Sequence, residues 1–164
     1  MPFNMLPPIL KYFRAEEDAG FYILVVGAVI LLLSVWIWWS GTRYRAMAIP
    51  LAVFAILEVT VGATLYLRTD RQIDTLTEQY YSARERFAIE ETARMERIMS
   101  AFGVYKIAEI AVLIAGLGLI SVYRSRPSLA AVGAGLVVQA TVLLIFDVIA
   151  AQRAQAYLDA LRRM

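Results

Sequence analysis

Apolar residues in this chain gather into four long blocks, at 21–39, 46–67, 107–123 and 128–151, separated by short basic or longer charged stretches. A helix rises 1.5 Å per residue, so crossing a hydrocarbon core about 30 Å thick takes roughly 20 residues. The first block reaches that length without a charge, and the other three reach it with only isolated polar residues. The pattern predicts an all-α integral membrane protein, a four-transmembrane-helix bundle with an extramembrane helical hairpin between helices two and three. Five segments follow: an N-terminal interfacial segment at 1–20, a transmembrane hairpin at 21–68, an extracytoplasmic helical segment at 69–103, a second transmembrane hairpin at 104–151, and a helical extension at 152–164.

A cleaved signal peptide is the competing reading of the first block. The residues before it, "KYFRAEEDAG", carry three acids where a signal peptide is basic, and the block ends in "WIWWSGTR" rather than at small residues. Trp36, Trp38 and Trp39 beside Arg43 fit an interfacial aromatic belt with a basic anchor, so the helix is read as permanent.

The two short connections, "SGTRYRAM" and "YRSRPS", each hold Arg-x-Arg and no acid, whereas segment 69–103 holds seven acids against five arginines. Short arginine-rich loops stay cytoplasmic, which places the termini and the long segment outside. The expected location is a bacterial inner membrane or a plasma membrane, as a multi-pass protein. In the outer segment Ile73, Leu76 and Tyr80 fall at helical spacing, as do Met95, Ile98 or Met99, and Phe102. A break near "YYSA" would let two amphipathic helices fold back over the bundle mouth. The fourth block has no breaker after it, so its helix is expected to run on into water. A weak repeat pairs Arg43-x-Arg45 with Arg124-x-Arg126 and, at the same spacing, "LEVTV" (57–61) with "VQATV" (138–142), setting Glu58 opposite Gln139.

Charged and amide side chains inside apolar blocks are the candidate chemistry, because burying them in lipid costs a few kcal/mol. Counted from the inner arginines at 1.5 Å per residue, Glu58, Glu109 and Gln139 all lie about 20 Å up. Three helices thus bring polar groups to one level, where Glu58 and Glu109 can share a proton or take a bond from Gln139. Lys106 and Asp147 fall higher, near the outer rim, where Asp147 can pair with Arg68 or Arg153. The plain structural reading is that such groups hold helices together.

Composition narrows the functions. With no cysteine and no histidine, disulfides, thiolate sites and the usual proton shuttle are absent, and no metal or other cofactor is expected. No nucleophile–base pair or phosphate loop is present, so an enzyme is not expected. Net charge of +2 with mixed-sign outer helices gives no footprint for nucleic acid. The expected partners are the lipid bilayer and either a protein partner or further copies of the chain. The favoured reading is a non-enzymatic membrane protein acting by protein–protein interaction, an accessory subunit or immunity-type binder of a membrane-active partner. Tyr80, Tyr81 and Phe87 on the outer helices are its partner-binding candidates. The alternative is a small oligomeric proton- or cation-coupled transporter or channel using Glu58 and Glu109.

Overall fold

The computed structural model describes residues 6–164. Four long helices make up almost all of it: α1 (Leu6–Trp39), α2 (Ala48–Ser82), α3 (Arg84–Val122) and α4 (Pro127–Leu161), with a single 3-10 turn at Arg45–Met47 before α2. They are 34, 35, 39 and 35 residues long. At 1.5 Å per residue each reaches about 50–60 Å, nearly twice a bilayer core. All four are long and apolar enough to cross a membrane, as in a multi-pass membrane protein. Each therefore has an apolar half and a polar half, and the four polar halves form a cap at the end opposite the arginine-bearing connections.

Local chemistry sets the ends. Past Trp39, Gly41 adopts a positive φ of 63°, which only glycine takes without strain. α4 opens on Pro127, where the missing N–H costs no helical bond. α2 and α3 are separated by Ala83 alone, whose φ of −150° and ψ of 68° break the helical path. The break therefore falls at "YYSA". Segment 69–103 is not folded back over the bundle mouth, however; it consists of the straight outer ends of α2 and α3. Likewise α1 runs from Leu6 through position 20 into its apolar half rather than lying flat as a separate interfacial helix. Pro7 and Pro8 fall in the first turn of α1, where proline is tolerated, and no further proline occurs in either stretch, so the helices continue. Residues 1–5 of the expected interfacial segment lie outside the described residues.

The helices associate as two extensive pairs, α1 with α2 and α3 with α4, while α2–α3 and α1–α4 contacts are sparse. Glycines let each pair approach closely. A Cβ at Gly62 would stand 2.5 Å from the Leu24 backbone nitrogen and 2.7 Å from the Gly20 carbonyl oxygen. On the other pair, a Cβ at Gly133 would stand 2.6 Å from the Gly116 oxygen. The pairs meet where α4 crosses the start of α2, with Gly135 against the Met47 carbonyl and the Pro50 ring.

Two kinds of core result. In the cap all four helices contribute large side chains: Ile9, Tyr12 and Phe13, then Ile73, Leu76 and Tyr80, then Phe87 and Met95, then Tyr157, Leu158 and Leu161. The apolar halves bury mainly small residues such as Ala55, Ala131 and Ala140 and leave large ones outside, among them Leu32, Leu67 and Ile107. Water drives the first kind of core. In lipid, where apolar side chains gain nothing by hiding, close backbone packing drives the second.

Gly62→Ala should loosen the α1–α2 crossing and cost about 1–3 kcal/mol, because the methyl meets backbone atoms that cannot rotate away. A methyl added at Gly118 would meet nothing within 4 Å, so Gly118→Ala should be neutral or stabilising by up to about 1 kcal/mol. Thermal unfolding of the detergent-purified variants, followed by circular dichroism, compares the two. Equal losses would remove the close-approach role of Gly62.

Candidate functional site

The polar residues of the apolar halves occupy separate places. Glu58 is 2% exposed, on the α2 face that also carries Leu51, Ala55 and Gly62. It packs against α1 at Gly27, where an added Cβ would lie 2.8 Å from its own Cβ. Neither of its carboxylate oxygens has a hydrogen-bond partner among the described residues. Gln139 lies between α4 and α2, and its Nε2 donates to the Leu51 carbonyl at 3.1 Å. That carbonyl is seven residues, or about 10 Å along the helix, before Glu58. Glu109 of α3 and Asp147 of α4 lie near one another with Lys106 close to both, and Glu109 Oε2 and Asp147 Oδ2 are buried with no hydrogen-bond partner among the described residues.

Counting along the chain therefore placed Glu58, Glu109 and Gln139 at one level, but the fold distributes them over three seams. Two features separate them. α4 is displaced along α2, so Gln139 comes alongside Leu51, and the sparse α2–α3 contact keeps Glu109 on its own pair. Of the rim charges, Asp147 lies beside Glu109 rather than an arginine. Arg68 lies 3.8 Å from Glu16, and Arg153 donates from Nη1 to the Ala15 carbonyl at 2.7 Å.

The densest polar arrangement is in the cap. Glu91 of α3 is only 3% exposed. It accepts two bonds from Arg94, from Nε and from Nη2, each at 2.7 Å. Tyr157 of α4 donates its hydroxyl to Glu91 Oε1 at 3.1 Å. The Tyr157 ring stacks on Tyr12 of α1, with centroids 4.6 Å apart and planes 7° apart. The Arg94 guanidinium lies over the Phe13 ring at 5.7 Å. Three helices thus converge on one ion pair whose carboxylate is buried and hydrogen-bonded at both oxygens. The sequence holds a signal for it. Glu91 falls midway in the stripe Phe87, Glu91, Met95, at four-residue spacing, which puts this acid on the core-facing row of the outer half of α3.

This centre forms part of the wall of two surface grooves. Between α1 and α4 lies a groove of about 610 Å³, mostly apolar, with Tyr12, Ala15, Ala156 and Tyr157 in it and Lys11 and Arg153 at its edge. Between α2 and α3 lies one of about 720 Å³, lined by Arg68, Arg71, Arg94 and Arg97 together with Gln72 and Glu91. Of the three aromatic candidates on the outer helices, Tyr81 is 70% exposed. Tyr80 and Phe87 are core residues, because the turn at Ala83 brings their rings together at 5.7 Å.

Burial raises the Tyr157 hydroxyl above its ordinary pKa of 10.0, and the neighbouring Glu91 charge adds to this. Burial raises Tyr12 similarly, helped by Glu16. A raised folded pKa gives stability that is complete below the unfolded value and lost above it. Cap stability should therefore hold up to about pH 10 and fall beyond it. Ultraviolet titration of the tyrosines in detergent should show Tyr12→Phe and Tyr157→Phe each deleting part of the latest-titrating fraction. If the early fraction shrinks instead, these hydroxyls are not buried.

Glu91→Ala should take the acceptor from the part-exposed Arg94 guanidinium and from the Tyr157 hydroxyl and cost the cap about 1.5–3 kcal/mol. Tyr157→Phe, which removes one hydrogen bond, should cost less, about 0.5–1.5 kcal/mol. Thermal unfolding of the two variants checks the order, and a silent Glu91→Ala would contradict the ion-pair geometry.

No protein-family model, no curated protein and no solved structure matches this chain.

Proposed function

We propose that this chain is a non-enzymatic, membrane-embedded interaction protein, whose apolar helix halves anchor it and whose cap receives a protein partner. The observation that carries the reading is the groove between α1 and α4, a concave, mostly apolar surface held open by a cored four-helix cap. Its dimensions and apolar lining suit the face of an amphipathic helix, and Lys11 and Arg153 at the edge favour an occupant carrying an acid. Such a chain serves as an accessory subunit or an immunity-type binder of a membrane-active partner. With the arginine-bearing connections on the cytoplasmic side, the cap faces outward. Tyr81 adds exposed aromatic surface at the cap tip.

The alternative, a small proton- or cation-coupled transporter working as an oligomer, draws its support from the proximity of Glu109, Asp147 and Lys106 between α3 and α4. It is weakened by the isolation of Glu58, which has no hydrogen-bonding neighbour to pass a proton to among the described residues.

Ala156 is exposed in the groove, so Ala156→Trp fills it without touching the core. The wild-type chain, gently solubilised from its native membrane, should carry a stoichiometric second protein by mass. Ala156→Trp should lose that protein while keeping its helical content, and Glu58→Gln should retain it. A homo-oligomer with pH-dependent flux in liposomes that Glu58→Gln abolishes would replace this reading with transport.

A further inference from the structure

The α2–α3 groove has a different character from its α1–α4 counterpart. Its four arginines come from two helices, and their height along α2 is fixed by the sequence. Arg68 directly follows the apolar run that ends at Leu67, and Arg71 is one turn further out. This is the level at which lipid phosphates lie when 46–67 spans the hydrocarbon core. On α3, Arg94 and Arg97 line the same groove.

The charges there are unequally used. Arg94 is committed to Glu91, and Arg68 lies 3.8 Å from Glu16. Glu90, which also lines the groove, is held by Arg86 at 2.7 Å. Arg71 and Arg97 make no ion pair among the described residues, and both are exposed. Arg97 spends one N–H on the Ala93 carbonyl at 3.3 Å. Beside them Gln72 has a buried side-chain oxygen with no hydrogen-bond partner among the described residues. The groove therefore offers two uncommitted guanidinium groups, while the unpartnered Gln72 oxygen is sealed beneath its surface. Towards the apolar halves, α2 and α3 touch only sparsely and expose Leu67 and Val104, at 75% and 63%.

We propose that this groove binds an anionic phospholipid of the phosphatidylglycerol type. Arg71 and Arg97 hold the phosphate, and the acyl chains run along the exposed apolar turns below. Guanidinium groups suit phosphate because their paired N–H donors match its oxygens. A choline headgroup fits poorly, since it brings a cation towards arginines. The site differs from the partner groove in residues and in face, so each can fail without the other.

The test is native mass spectrometry of the full-length protein in detergent, with phosphatidylglycerol and phosphatidylcholine added in equal amounts. The wild type should retain one phosphatidylglycerol in preference. Arg71→Gln with Arg97→Gln should weaken that retention roughly tenfold or more, equivalent to about 1.4 kcal/mol. Arg124→Gln with Arg126→Gln, which removes the same charge at the opposite end, should leave it intact. Circular dichroism confirms that both double variants are folded. Equal retention of the two lipids overturns the proposal, as does an unchanged signal in the Arg71/Arg97 variant. Displacement of the lipid by polyglutamate at matching concentration would overturn it too, assigning the groove to an acidic protein segment.

Discussion

Backbone continuity is the constraint on which the rest of this structure depends. In hydrocarbon each N–H and C=O must be satisfied within its own helix, so the apolar halves cannot break. The polar halves contain nothing that would break them either, and the same four hydrogen-bond ladders run on into water. Cap and anchor are consequently continuous along each helix. The placement of the cap helices is set by where their apolar halves cross, at Gly20 with Gly62 and at Gly116 with Gly133.

The two media then select different interiors on the same rods. Where lipid is the solvent, glycine and alanine bring backbones together and large side chains turn outward. Where water is the solvent, Phe13, Met95, Tyr157 and their neighbours fill the space between four helices. Buried charge follows the same division. Glu91 receives three hydrogen bonds and an aromatic surround, so removing a partner leaves a stranded ion. Glu58 receives none among the described residues.

The Glu91–Arg94 centre also ties the cap's two grooves together structurally. Tyr12 and Tyr157 face the apolar groove, while Glu91 and Arg94 face the arginine-lined one. One buried cluster therefore shapes an apolar surface on one side and an arginine-lined surface on the other.

Hydropathy and spacing alone determined the number of long helices, their apolar lengths, the turn at "YYSA" and the continuation of the last helix beyond 151, because each depends on local composition and backbone geometry. They also marked Glu58, Glu109, Gln139 and Asp147 as unusual, since lipid makes any polar residue conspicuous. Which of these groups meet was decided only by tertiary structure. A shift of about 10 Å between the helix pairs takes Gln139 to Leu51 and leaves Asp147 to Glu109. Residue counting does not contain that shift, because it arises from how Gly135 seats α4 on Met47 and Pro50. The cap centre was only faintly marked, for the opposite reason: Glu91 sits on the Phe87–Met95 stripe, but in a charged segment one more Glu–Arg pair looks ordinary. Only the packing of Phe87 and Met95 against Tyr157 and Phe13 carries Glu91 out of water, and that is a property of helices brought together from opposite ends of the chain.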